Sequence, residues 1–202
     1  MHYWRQGYFE SLRAAAAASA WPEYTRYCNE TDRGLRHEAL ATLEAFISSM
    51  ERASFQDRRA FVSWLLTFTH DRDGSERLIP HPLKVRVVEP TLSEWALLEP
   101  RCAEPHRWIG DKENLEIALD LDPSDQIARK KLLIEILRFI EYAGHHLPSG
   151  YLGDAKTDLT TLSRVEELLQ AVDDAEFKDH LKSDIEEERA AIEEYIRGRN
   201  GT

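Results

Sequence analysis

Apolar side chains recur along most of this chain at intervals of three and four residues, the spacing that places them on one face of an α-helix. The pattern is clearest over residues 35–50, 55–69 and 157–172, where charged and polar residues fill the remaining positions. Residues 126–143 are apolar around most of the helical circumference, so this helix needs neighbours on several sides. We therefore expect it at the centre of the core.

Residues at both ends of this central helix carry start and stop signals. Asp122 is expected at the N-cap, with Pro123 at the first helical position and Asp125 in the first turn, where an acid complements the helix dipole. Gly144 can adopt the left-handed conformation that closes a helix. The loop that follows, residues 144–154, contains two further glycines and a proline.

The segment 73–110 differs from the rest of the chain because it contains several prolines. Prolines disfavour a helix interior, so no long helix is expected here. Thr91 and Glu94 have the spacing of a capping box, so a short helix is expected to begin there. This segment is predicted to connect an N-terminal helical subdomain, residues 1–72, to a C-terminal one, residues 111–202. One continuous domain is the alternative.

These patterns together predict an all-α fold. The helices are expected to form a mostly antiparallel array or bundle of about seven to nine members. Whether the array is a simple bundle or is built from repeats remains open at this point.

Composition and charge narrow the functional classes. The chain has 202 residues and a net charge of −11, and residues 154–202 hold 14 acidic against 7 basic side chains. Such an acidic surface repels phosphate backbones and attracts cationic partners. We therefore expect a protein partner, which could be a basic protein, and no binding to nucleic acid. The sequence sets no oligomeric state and requires no cofactor.

Cysteine usage and hydropathy indicate the compartment. Cys28 and Cys102 show neither a disulfide framework nor metal-binding spacing, which is typical of a reducing environment. No window approaches the ~18 consecutive apolar residues of a membrane span. A cytoplasmic protein without membrane contact is therefore expected.

Two clusters of polar and aromatic residues are candidates for a contact surface. Arginine and tryptophan are frequent at protein interfaces. The glycines and proline of the loop 144–154 favour defined turns, and such a loop can present polar side chains to a partner. Histidines just after a helix can instead bind its last carbonyl groups, so a structural role for His145 and His146 stays open. The candidate binding residues are His106, Arg107, Trp108, His145, His146, Tyr151 and Asp154.

The spacing of Leu115, Ala118 and Pro123, with Trp95 and Leu98 upstream, resembles one degenerate tetratricopeptide repeat over residues 92–125. The resemblance implies a helix-turn-helix array with a groove that binds a protein segment. At least about three stacked units are needed for a complete repeat fold.

The histidines show a second resemblance. The order His37, His70-Asp71, His106 and His145-His146, followed by Ser149-Gly150-Tyr151, resembles the ligand order of HD-domain metal-dependent phosphohydrolases. The resemblance implies a divalent metal, with His37, His70 and Asp71 as candidate ligands, that would activate water. The acidic charge disfavours a phosphorylated substrate.

A non-enzymatic helical interaction or regulatory module is therefore the favoured function, and no catalytic residue is assigned. The chain has no Gly-rich phosphate loop, nucleophile elbow or cysteine cluster. A phosphohydrolase of HD-domain type is the alternative.

Overall fold

The secondary structure is helical throughout the described part of the chain. The computed structural model describes residues 3–70, 72, 75–147 and 149–200. These residues contain no β-strand, which confirms the predicted all-α class. The chain divides into two compact units, Met1–Pro100 and Arg101–Thr202. Their boundary lies inside the segment 73–110 that the sequence predicts as a connection.

The bounds of the helices follow the apolar periodicity closely in both units. The first unit contains α1 (Tyr3–Ala18), α2 (Pro22–Asp32), α3 (Arg36–Arg52), α4 (Phe55–His70), a 3₁₀ helix (Ser75–Leu78), α5 (His81–Leu83), a π-helical segment (Lys84–Val88) and α6 (Glu89–Leu98). The second unit contains α7 (Ala103–Ile109), α8 (Lys112–Leu121), α9 (Gln126–Gly144), α10 (Ala155–Gln170) and α11 (Ala175–Asn200). Since α5, the π-helical segment and α6 are continuous, the described residues form ten helices besides the short 3₁₀ helix. The expected seven to nine is too low.

The core of the first unit is built around aromatic rings. Phe61 of α4 is fully buried, and its ring centroid lies 4.9 Å from that of Phe46 and 5.3 Å from that of Tyr24. Trp21 packs edge-on against the same ring at 5.1 Å. The Tyr24 hydroxyl donates to the Leu78 carbonyl oxygen at 2.8 Å, so even the polar atom in this cluster is satisfied.

The continuous helix over residues 81–98 corrects the expectation that prolines exclude a long helix from this segment. Pro82 lies in the first turn, where its missing N–H is not needed. Pro90 follows directly after the π-helical segment, whose wider turn carries a hydrogen bond from the Glu89 N–H to the Lys84 carbonyl. Thr91 does not cap a helix either, because it is fully buried inside α6.

In the second unit, α9 packs against α8, α10 and α11. The chain reverses from α9 to α10, since Gln126 at the start of α9 donates to the carbonyl of Ala171, just after α10. It reverses again into α11, so α9 and α11 run in the same direction. Lys130 accordingly pairs with Asp174 at 2.7 Å near one end of these two helices.

The N-cap of α9 lies three residues after the expected one. Asp125, not Asp122, is the N-cap, and its carboxylate accepts from the Ala128 N–H at 2.9 Å. Asp122 instead ends α8 and accepts from Ser124. Gly144 is the last residue of α9 and does not have a positive φ, so the expected left-handed stop is wrong.

Candidate functional site

The residues His106, Arg107 and Trp108 lie together on α7, which ends at Gly110 with a φ of 82°. His106 is buried, and its Nδ1 lies 2.7 Å from Oδ1 of Asn114 in α8. This contact fixes the α7–α8 hairpin. His106 is therefore a packing residue, and it does not belong to an open surface.

Arg107 forms an ion pair across to the start of α9. Its Nη1 lies 3.0 Å from Oδ2 of Asp125, whose side chain is only 1% exposed. The same carboxylate caps α9 through its other oxygen, Oδ1. One buried aspartate thus joins α7 to the N-terminus of the central helix.

Two positively charged side chains lie close to the ring of Trp108. The guanidinium of Arg107 lies 4.9 Å from the centroid of its ring and the ammonium nitrogen of Lys131 lies 4.3 Å from it. Lys131 also donates to the Arg107 carbonyl oxygen at 3.1 Å. Burial, with the nearby Arg107 charge, lowers the pKa of Lys131 to about 8.

This lowered pKa predicts a specific pH dependence. Between about pH 8 and the ordinary lysine pKa near 10.4, the unfolded chain retains a proton that folded Lys131 has lost, so the contribution of Lys131 to stability rises with pH. Relative to Lys131→Met, the wild type should gain about 1–2 kcal/mol of unfolding free energy from pH 7 to pH 10, a value discounted for partial exposure. Urea denaturation of both proteins across this range measures it. A difference that is constant with pH would contradict it.

His145 and His146 lie at the other end of α9. Both are exposed, and their ring centroids are 5.2 Å apart. Fourteen residues separate Lys131 from His145, which corresponds to roughly 21 Å along a helix at 1.5 Å per residue. The two clusters that the sequence suggested as one contact surface are therefore at opposite ends of α9.

Tyr151 and Asp154 both make contacts that hold the loop in place. The Tyr151 hydroxyl donates to Asp158 Oδ2 at 2.7 Å, and its ring packs 5.8 Å from that of Tyr195. Burial and the Asp158 carboxylate raise the pKa of Tyr151. Asp154 caps α10, and its hydrogen bond from Thr157 lowers its pKa. The helix expected to begin at Thr157 or Asp158 thus begins two or three residues earlier, at Ala155.

Two of the three candidate metal ligands, His37 and His70, lie on helices of the first unit. His37 is exposed in the first turn of α3, and His70 is the exposed last residue of α4. Asp71 lies outside the described residues. Within the described part of the chain, no group of three or more His, Cys, Asp or Glu residues could hold a metal ion.

Two aromatic residues of α9 have a position that the sequence interpretation missed. Phe139 is 63% exposed and Tyr142 is 68% exposed, although both were expected to pack in the core. The charged residues Glu135 and Arg138 lie on one side of this helix, and Tyr142 follows them by seven and four residues, so it lies on the same side. That spacing is the signal that could have identified its exposure.

A groove lies beside the exposed face of α9, against α11. It has a volume of about 480 Å³. Its lining combines apolar residues with the carboxylates of Glu141, Asp184, Glu187 and Glu188. Burial and the neighbouring carboxylate of Glu141 raise the pKa of Glu188. A second groove, of about 890 Å³, lies between the loop around Tyr151 and the end of α11.

Comparison of the chain with known protein families, with curated proteins and with solved structures finds no match. Function must therefore be inferred from the surfaces themselves. Among the described residues, no helix combines the length and apolarity that crossing a bilayer demands. Large apolar side chains are also exposed elsewhere, among them Leu40, Leu97 and Leu98, but Phe139 and Tyr142 on α9 are the aromatic ones in this exposed set.

Proposed function

We propose that the chain is a non-enzymatic protein-interaction module that contacts its partner through the outer face of α9. The observation that carries this proposal is the exposure of Phe139 and Tyr142 on a helix whose other apolar residues are mostly buried. We call these two residues, with His145 and His146, the aromatic face. The two histidines belong to the binding residues that the sequence suggests.

The physical argument is the free energy of covering these rings. Burying an aromatic side chain removes about 150–250 Å² from water, at roughly 25 cal/mol per Å². Tyrosine is also among the residues that dominate binding energy at protein interfaces. Charged Glu135 and Arg138 flank the rings, as the polar rim of an interface surrounds its apolar centre.

The contacts that the remaining suggested residues make within the fold give them a supporting part in this proposal. Arg107 and Trp108 fix the N-terminal end of α9, while Tyr151 and Asp154 position the loop beside its C-terminal end. The resemblance of residues 92–125 to a tetratricopeptide repeat stays a prediction that points to the same class of function. A cytoplasmic protein partner also stays part of the proposal.

Affinity capture from a native extract tests this function by comparison of variants. The double variant Phe139→Ser/Tyr142→Ser should lose at least about 90% of any protein captured specifically by the wild type, since interface aromatic residues contribute most of the binding energy. Leu97→Ser, which replaces a residue 80% exposed on α6, is the matched control and should retain it. Equal capture by the double variant and the wild type would overturn the proposal.

A further inference from the structure

The groove between α9 and α11 has an apolar floor. Ile134 and Leu137 of α9 face Phe177 and Leu181 of α11 across it. Leu137 and Leu181 are buried, while Ile134 and Phe177 are partly exposed. A floor of this kind can receive apolar side chains from a partner.

The walls of this groove are strongly acidic. Glu141, Asp184, Glu187 and Glu188 line it, against the single guanidinium of Arg138. His180 also lines the groove, and its Nε2 lies 3.9 Å from Oδ2 of Asp184. The raised pKa of Glu188 is consistent with this excess, because burial and the carboxylates around it oppose its ionisation.

The groove is elongated along the two helices that form it. Its lining on α11 extends from Phe177 to Glu188, which corresponds to roughly 16 Å, or three helical turns. The two walls are helices that run in the same direction, so a third helix can lie between them with its apolar residues on the floor. Recognition of this kind requires apolar residues on one face of the incoming helix.

We propose that this groove binds a basic amphipathic helix of a partner protein. The apolar floor takes residues at helical spacing, and lysine or arginine side chains on either side of them pair with the acidic walls. Phe139 lies two residues from Glu141 and therefore on the opposite side of α9. Tyr142, four residues after Arg138, lies at the edge of the groove, so the groove and the aromatic face are neighbouring surfaces that share Arg138. The inference rests on the proposed function only in taking the partner to be a protein.

The groove is tested with the full chain and a synthetic peptide. The probe is a fluorescein-labelled helical peptide of about 14 residues with leucine on one face and lysine on the other. Its counterpart carries glutamate in place of every lysine. Fluorescence anisotropy at about 50 mM and about 500 mM salt measures the dissociation constants.

Two variants with the same change in net charge separate the groove from general acidity. The groove variant is Asp184→Asn/Glu187→Gln/Glu188→Gln. The control variant is Asp179→Asn/Glu186→Gln/Glu193→Gln, which removes three carboxylates from exposed positions of α11 that do not line the groove. Circular dichroism should give the same helix content for both.

The wild type should bind the lysine peptide and not the glutamate peptide. The groove variant should weaken binding roughly tenfold at low salt, with less than about a twofold change for the control variant. High salt should reduce the difference between the wild type and the groove variant. No preference for the lysine peptide, or equal weakening by both variants, would overturn the proposal. The groove variant keeps Phe139 and Tyr142, so it should still capture a partner through the aromatic face. The groove proposal can therefore fail without the proposed function failing.

Discussion

Replacing Phe61 by alanine should lower the free energy of unfolding by about 3–5 kcal/mol. The ring is fully buried and contacts Trp21, Tyr24, Phe46 and Trp64, with centroid distances of 5.1, 5.3, 4.9 and 6.1 Å respectively. Its removal leaves a cavity that stiff aromatic rings from three other segments cannot collapse to fill. Urea denaturation followed by tryptophan fluorescence measures the change.

The matched control for this prediction is Phe139→Ala, which removes the same side chain from an exposed position on α9. It should change the free energy of unfolding by less than about 0.5 kcal/mol, because little apolar area returns to water. A loss below about 1 kcal/mol for Phe61→Ala would contradict the aromatic core described for the first unit.

Replacing Asp125 by asparagine should destabilise the chain by about 2–3 kcal/mol. The asparagine oxygen can still accept the hydrogen bond from the Ala128 N–H, so the helix cap is preserved. The negative charge beside Arg107 is lost, which leaves a largely buried guanidinium without its carboxylate. Lys131 loses the same favourable charge, so its pKa should fall further.

Thermal unfolding monitored by circular dichroism, together with urea denaturation, measures this effect. Asp122→Asn is the matched control, because Asp122 lies at the same α8–α9 junction but is exposed. It should have a much smaller effect than Asp125→Asn. Equal destabilisation by both variants would show that the buried ion pair of Arg107 and Asp125 contributes nothing of its own.

The positions of most helices follow from periodicity and from local caps. The spacing of apolar residues predicts α3, α4 and α9 to within about two residues, which is the ordinary uncertainty of a helix end. Asp111 is a residue type favoured at N-caps, and it caps α8 with a carboxylate that accepts from the Asn114 N–H at 2.9 Å. These features are local, because a helix and its cap need only neighbouring residues.

The predictions that fail depend on contacts between distant residues or on rarer backbone geometry. Pro90 is compatible with a continuous helix because a π-helical segment precedes it, and no pattern in the sequence predicts that segment. Asp122 and Asp125 are both good cap residues, and the choice between them depends on the partner that Asp125 finds in Arg107. Tertiary packing, not local preference, decides such cases.

The candidate site was only partly visible in the sequence for the same reason. His145 and His146 are exposed at the end of α9, where periodicity places them. The exposure of Phe139 depends on which sides of α9 its neighbours cover, and a helix with many apolar residues does not specify that. The groove is formed by α9 and α11, which are separated in the sequence by α10. Its presence therefore follows only from the folded structure.

The measurement that tests the central claim most directly is the affinity of the full chain for a partner purified with it. The dissociation constant should rise at least about tenfold for Phe139→Ser/Tyr142→Ser and remain within about twofold of the wild type for Leu97→Ser. Isothermal titration calorimetry provides these values with the same protein preparations. Wild-type affinity in the double variant would contradict a contact surface on the outer face of α9.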